Sequence, residues 1–232
     1  MPEGFCAALL NLFQQPGICI GTGREKAPMR MLASRLGKLL LGFLCLAVAI
    51  FAAATYATMP LGTGLPLAMK LNFISNKSAV YTHVFAAATA LFIGPFQLSA
   101  SLRRRFGWIH RRSGRIYLLG VLIGGVSALY LSPFAFGGPV AKLGFSCLAL
   151  LWLYTGLRAL LAIRSGAVPE HRRWMVHNVS LTFAAVTLRI YLPTAALFGF
   201  PFEASYPVIA WACWIPNLLL SKLVFNRPAL TA

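Results

Sequence analysis

The sequence predicts an all-α fold: a polytopic transmembrane helical bundle of six spans with both termini in the cytoplasm. Three observations carry that prediction. The 232 residues are 59% hydrophobic and 11% charged, with a mean hydropathy of +0.74, so a water-soluble domain would lack the polar surface to cover itself. The densely cationic segment 103–115 (RRRFGWIHRRSGR) is flanked by two runs, 78–102 and 116–141, that carry no formal charge, and each exceeds the roughly 20 apolar residues that cross a bilayer. With six spans, the third observation follows from where the basic residues fall. Five lie in 24–38, six in the 103–115 link, three in 164–173 and two, Lys222 and Arg227, at the end of the last span, making sixteen on one side against Lys70, Lys77 and Lys142 on the other. That asymmetry places the rich side in the cytoplasm.

The net charge of +17 rests on 21 Lys and Arg against four glutamates and no aspartate. In a soluble chain it would suggest nucleic acid. Here most of it sits in short links beside apolar spans, where it sets topology and attracts anionic headgroups, so membrane lipids are the expected partners and nucleic acid is not. Arg103, Arg104, Arg105, Arg111, Arg112 and Arg115 are the expected headgroup contacts, with Trp108 and Ile109 at the interface between them. The expected location is the cell membrane, inner or plasma, and a homo-oligomer stays open. Five cysteines occur with no Cys-x-x-Cys pair, which reads as packing residues rather than a disulfide frame or metal site.

In chain order, residues 1–37 read as a poorly structured basic segment, and Met29 or Met31 could serve as translation starts. Residues 38–226 form the membrane domain. Its first span, 39–59, resembles a signal sequence in its flanks but is longer than a signal core. Pro60, Gly62, Gly64 and Pro66 break helix in the link that follows. Spans two, three and four are 79–102, 116–136 and 143–163, with Gly137-Gly138-Pro139 forcing a tight turn. Span five is 175–200, its helix starting in the link at Pro169 and Glu170 and kinked or ended at Pro193. Span six is 206–225, with a bend at Pro216.

Helical projection selects the candidate site. On span two, His83, Ala87, Ala90, Gly94, Gln97 and Ser101 form one small and polar stripe expected to face the bundle. Gly120 and Gly124 make a G-x-x-x-G step on the side of Tyr117. Tyr154 stands one turn from Arg158, which lies near enough to the membrane edge to snorkel. On span five, His171, Asn178, Thr182, Ala185 and Arg189 share a face, and His177 falls about a third of a turn away. Arg189 lies deep in hydrocarbon, and no span contains a carboxylate to neutralise it. Its partners must be backbone carbonyls near Pro193, polar side chains of other spans, or a ligand.

These motifs, His83, GPFQ at 94–97, HRRSGRIY at 110–117, HRRWM at 171–175 and TFAAVTLR at 182–189, together resemble the predicted membrane proteins grouped as domain of unknown function 2306. The resemblance covers roughly residues 40–225. It implies a polytopic membrane protein and brings no reaction with it.

Two functional classes follow. One is a non-enzymatic bundle whose internal polar site, around His83, Gln97, Tyr154 and Arg189, holds or passes a small or lipidic anion. The other is a membrane redox protein with a single b-type haem or metal on the cytoplasmic side, ligated by His110 with His171 or His177. A two-haem arrangement needs a His pair near each face, and only His83 lies near the outer one. Neither a hydrolase triad, a phosphate loop nor paired carboxylates are present, so no catalytic residue is assigned.

Overall fold

The computed structural model describes residues 27–225, with side chains from 36 to 222. Among these residues there are ten α-helices, one 3-10 turn and no strand. The helices are α1 (Ala27–Thr58), α2 (Leu67–Ser75), α3 (Lys77–Gln97), α4 (Ala100–Arg105), α5 (Gly107–Leu131), α6 (Gly138–Arg164), α7 (Val168–Thr182), α8 (Ala184–Leu197), α9 (Phe202–Ala212) and α10 (Ile215–Phe225). Five stretches are long and apolar enough to cross a membrane: Leu36–Thr58, Lys77–Gln97, Gly107–Phe134, Gly138–Arg164 and Val168–Leu197.

Several boundaries differ from the sequence expectation, each for a local reason. Helix begins at Ala27, where a poorly structured segment was expected to reach 37; residues 1–26 lie outside the described residues. The 60–77 link contains the short helix α2 after its glycine-rich start. The arginine segment is almost wholly helical and breaks only at Phe106 (φ −133°, ψ 56°). α3 stops at Gln97, two residues past Pro95, which removes a backbone donor. The Ser99 hydroxyl then caps α4 by accepting from the Leu102 amide at 3.3 Å, and so Ser101 leaves the α3 stripe. The interruption of span five falls at Phe183, while Pro193 sits inside α8. The Gly137–Gly138 turn is as expected, with φ of +90° and +72°, a region open to glycine and costly for other residues.

The core is built on close approach of α3 and α5, the most extensive helix pair. A Cβ added to Gly120 would stand 2.9 Å from the Ala86 carbonyl oxygen, and one added to Gly124 3.3 Å from the Ala87 amide nitrogen. The G-x-x-x-G step therefore has α3 as its partner, and small residues permit the contact. α6 and α7 cover this pair, with Ala159, Trp152, Val179 and Leu181 buried. Large apolar side chains such as Leu39, Phe43, Leu119 and Leu157 point outward, which suits lipid.

α9 and α10 run back along α7 and α8. The Asn217 amide donates to Thr187 Oγ1 at 3.0 Å and Ser221 Oγ lies 2.7 Å from His177 Nδ1. Each helix has 11 residues, and the break between them, at Cys213–Trp214, leaves Pro216 as the second residue of α10.

Candidate functional site

Two cavities occupy opposite ends of one bundle. The ends of α3 and α6, the starts of α5 and α7, and α4 meet at the face of the arginine link. The other ends of the same long helices, with α2, α8 and α9, meet at the opposite face.

The cavity toward the opposite face has a volume of about 330 Å³, within the range of small-molecule sites. Its walls are mainly apolar and aromatic, including Phe136, Phe145, Trp152 and Tyr206, with Tyr56, His83 and Arg189 among polar members that also include Asn72, Ser132 and Thr182. His83 Nδ1 lies 2.9 Å from the Gly124 carbonyl oxygen. A carbonyl only accepts, so Nδ1 carries a proton and donates it to Gly124. Arg189 is half-buried and donates from one guanidinium nitrogen to the Ala185 carbonyl at 3.0 Å, one turn back on its own helix. Among the described residues it donates no hydrogen bond to another helix and no carboxylate pairs with it. The remaining guanidinium donors face this environment with no hydrogen bond between helices to hold them.

The cavity at the link face is larger, about 1230 Å³. Gln97 belongs here, its amide donating to Ser113 Oγ at 2.7 Å. His110 and His171 both line it, together with Arg103, Arg104, Arg111 and Arg115. His171 Nδ1 sits 2.8 Å from the Ala159 carbonyl, and His110 Nδ1 is buried without a hydrogen-bond partner. Burial, and behind it the charges of Arg172 and Arg104, hold the Arg103 guanidinium below its ordinary range.

The structure thus divides the residues that helical projection grouped. His83 and Arg189 share the small cavity, Gln97 lies at the other end, and Tyr154 lines neither. Tyr154 is 47% exposed and belongs to a surface cluster. There Arg158 pairs with Glu170 at 3.0 Å, sits over the Trp174 ring at 4.9 Å and donates to the Tyr154 hydroxyl at 3.4 Å. Of the histidines expected to ligate, His177 lies away from His110 and His171, buried against Ser221 and edge-on to Trp174. Arg105 and Arg112 do not line the link-face cavity; Arg112 stacks on Trp108 at 5.6 Å. No group of three or more His, Cys, Asp or Glu side chains is placed to hold a metal ion among the described residues.

Lys38, Arg164 and Arg172 also line the link-face cavity. Sequence reading counted them only as topology signals, and nothing local marks their convergence. Between the cavities lies a hydrogen-bonded layer. The buried Tyr117 hydroxyl donates to Asn178 Oδ1 at 2.7 Å and meets Thr182 Oγ1 at 2.9 Å, while Asn178 Nδ2 donates to the Trp152 carbonyl and Thr155 Oγ1 at 2.7 and 2.8 Å. The Trp152 indole completes it by donating to Thr182 at 2.9 Å.

Long apolar helices, small residues at their contacts and charge confined to helix ends define a multi-pass membrane protein. A family model described as predicted membrane protein, DUF2306, matches residues 80–225, and the chain belongs to that family. No curated protein and no solved structure matches the chain.

Proposed function

We propose that the protein is a six-pass bundle of the cell membrane, with both termini in the cytoplasm, that binds a small or lipidic anion in the cavity between His83 and Arg189. α9 and α10 together make the sixth pass: they span 24 residues, about 36 Å of helix. The charge asymmetry supports this orientation. Reporter fusions after Gly107, Pro169 and Arg227 are expected to report cytoplasm, and fusions near Gly64, Gly138 and Glu203 the opposite side. An exported signal at Gly107 overturns the orientation.

The observation that carries the binding reading is Arg189, a guanidinium inside a span whose one hydrogen bond goes to its own helix. One cation in an apolar, aromatic cavity fits one negative charge on an apolar body. Arginine at the centre of a span costs about 2.5–3.5 kcal/mol on insertion scales, so Arg189→Leu is expected to leave folding intact or improved. Dodecanoate and benzoate are expected to raise the melting temperature of the detergent-solubilised wild type, by an amount that vanishes in Arg189→Leu. Arg189→Lys should respond weakly, because a point charge lacks the two-pronged donor geometry. A rise that persists undiminished in Arg189→Leu refutes the site.

A second reading assigns the link-face cavity a single b-type haem. It is favoured by one observation, the presence of His110 and His171 in one cavity beside arginines suited to propionates. If Nδ1 of His171 donates to Ala159, its Nε2 is left for a metal. This reading requires a Soret band in the purified protein, lost in His110→Ala or His171→Ala. The anion reading expects a colourless protein.

A further inference from the structure

The link-face cavity holds more cationic charge than topology or haem propionates explain. The positive-inside rule asks only that the charges lie on this side of the membrane. It does not require them to converge. Yet the α4–α5 segment brings Arg103, Arg104, Arg111 and Arg115, the end of α6 and start of α7 bring Arg164 and Arg172, and α1 brings Lys38, all to one cavity. Of the two glutamates among the described residues inside or beside the spans, Glu170 pairs with Arg158 and Glu203 lies beyond α8 at the other face, so neither lines the cavity. Two propionates would answer two of these charges. α5 and α7 begin here while α3 and α6 end here, so the helix dipoles largely offset one another, and the side-chain charges set the potential.

We propose that the link-face cavity binds a ligand carrying two or more phosphate groups. Guanidinium groups take phosphate oxygens in pairs, and six arginines and a lysine lining one cavity exceed what a single phosphate can neutralise. Gln97 and the ring nitrogens of His110 and His171 add polar contacts at the inner end; the unpartnered Nδ1 of His110 is among them. Apart from Ser99 and Ser101 the rest of the lining is apolar, with Leu41, Leu118, Leu160 and Met175, which suits an acyl chain attached to the phosphates. Basic pockets between transmembrane helices at the cytoplasmic face are a recognised form of site for such headgroups. The same chemistry is offered by a soluble diphosphate, and the test separates the two. The proposal is independent of the Arg189 site, which lies beyond the Tyr117–Asn178 layer.

The experiment uses the full chain in detergent, melted with pyrophosphate, with cardiolipin and with phosphatidylcholine as a neutral lipid. Cardiolipin or pyrophosphate is expected to raise the melting temperature of the wild type, and phosphatidylcholine to leave it unchanged. Arg103→Gln with Arg172→Gln, one from α4 and one from α7, is expected to weaken apparent affinity at least about tenfold. Arg105→Gln with Arg112→Gln removes equal charge outside the cavity and should respond like wild type, as should Arg189→Leu. If the first pair cannot be purified, Arg172→Gln alone carries the same expectation in smaller measure. A response to cardiolipin alone assigns a lipid headgroup, and a response to pyrophosphate assigns recognition of the phosphates themselves. Three results overturn the proposal: no response to either probe, equal weakening in both double variants, or a Soret band that is lost in His110→Ala.

Discussion

Gly120→Val is expected to lower the melting temperature of the purified protein by far more than an average substitution, at a cost of about 1–3 kcal/mol or above. The position has no room for even a Cβ, since that atom would stand 2.9 Å from the Ala86 carbonyl oxygen and 3.4 Å from the Ala90 side chain. The nearest atom belongs to the backbone of α3, so relief requires moving a helix rather than rotating a side chain. Moving α3 also shifts His83, which is tied to Gly124, and Gln97, which is tied to Ser113. Gly42→Ala supplies the contrast, because nothing lies within 4 Å of its added Cβ and alanine is the better helix former. It should melt at or above the wild-type temperature. Equal melting of Gly120→Val and wild type would mean that α3 and α5 do not meet as described.

Asn178→Leu is the second large effect. The side chain is fully buried and bonds three groups: it accepts from the Tyr117 hydroxyl and donates to the Trp152 carbonyl and Thr155. Leucine fills a similar volume and satisfies none of them. The expected cost is about 1–3 kcal/mol for stranding buried polar partners, softened because Tyr117 keeps Thr182 and Thr155 keeps the carbonyl of Leu151. Tyr117→Phe removes one hydroxyl and should cost less, on the order of 0.6–1.7 kcal/mol, as interhelical hydrogen bonds in membranes do. The two share a bond, so the double variant should lose less than the two single losses combined. Strict additivity of the melting shifts would show that the Tyr117–Asn178 bond is not formed. Because this layer parts the two cavities, its loss is also expected to weaken both binding responses at once, whereas Arg189→Leu and the Arg103–Arg172 pair each affect one.

Much of the architecture is legible in sequence because it is local. Charge-free length fixes which segments are long apolar helices, and Gly137-Gly138-Pro139 fixes a turn because consecutive left-handed φ values favour glycine. The α3 stripe was readable in part, with Ala90, Gly94 and Gln97 buried, His83 and Ala87 half-buried and Ser101 exposed on the next helix, since small and polar residues mark the packed face of a membrane helix. Hydropathy could not do the same for the rest. In a bilayer both the core and the outer surface are apolar, so the exposed Leu119 and Leu157 look like the buried Leu181.

Helix breaks were less legible than helix existence. Pro193 is accommodated inside α8, and the chain departs from α-helix at Phe183, a residue with no breaking propensity of its own. The arginine segment read as a link because its charges forbid hydrocarbon, but charge does not forbid helix.

The sequence by itself determined the class of protein, the presence of Arg189, with no carboxylate beside it, within a long apolar helix, and the gathering of cations at one end of the chain's long helices. Only the tertiary structure decided the partners. His83, Gln97, Tyr154 and Arg189 share polar character and suitable register, yet the fold sends them to two cavities and an outer surface. Periodicity gives the direction of a side chain around its own helix axis and says nothing about the rotation or depth of the neighbouring helix. Those are set by contacts distant in sequence, such as Gly120 on Ala86 and Asn178 on Trp152. They bring Lys38, Arg103, Arg164 and Arg172 to one cavity from four separate helices.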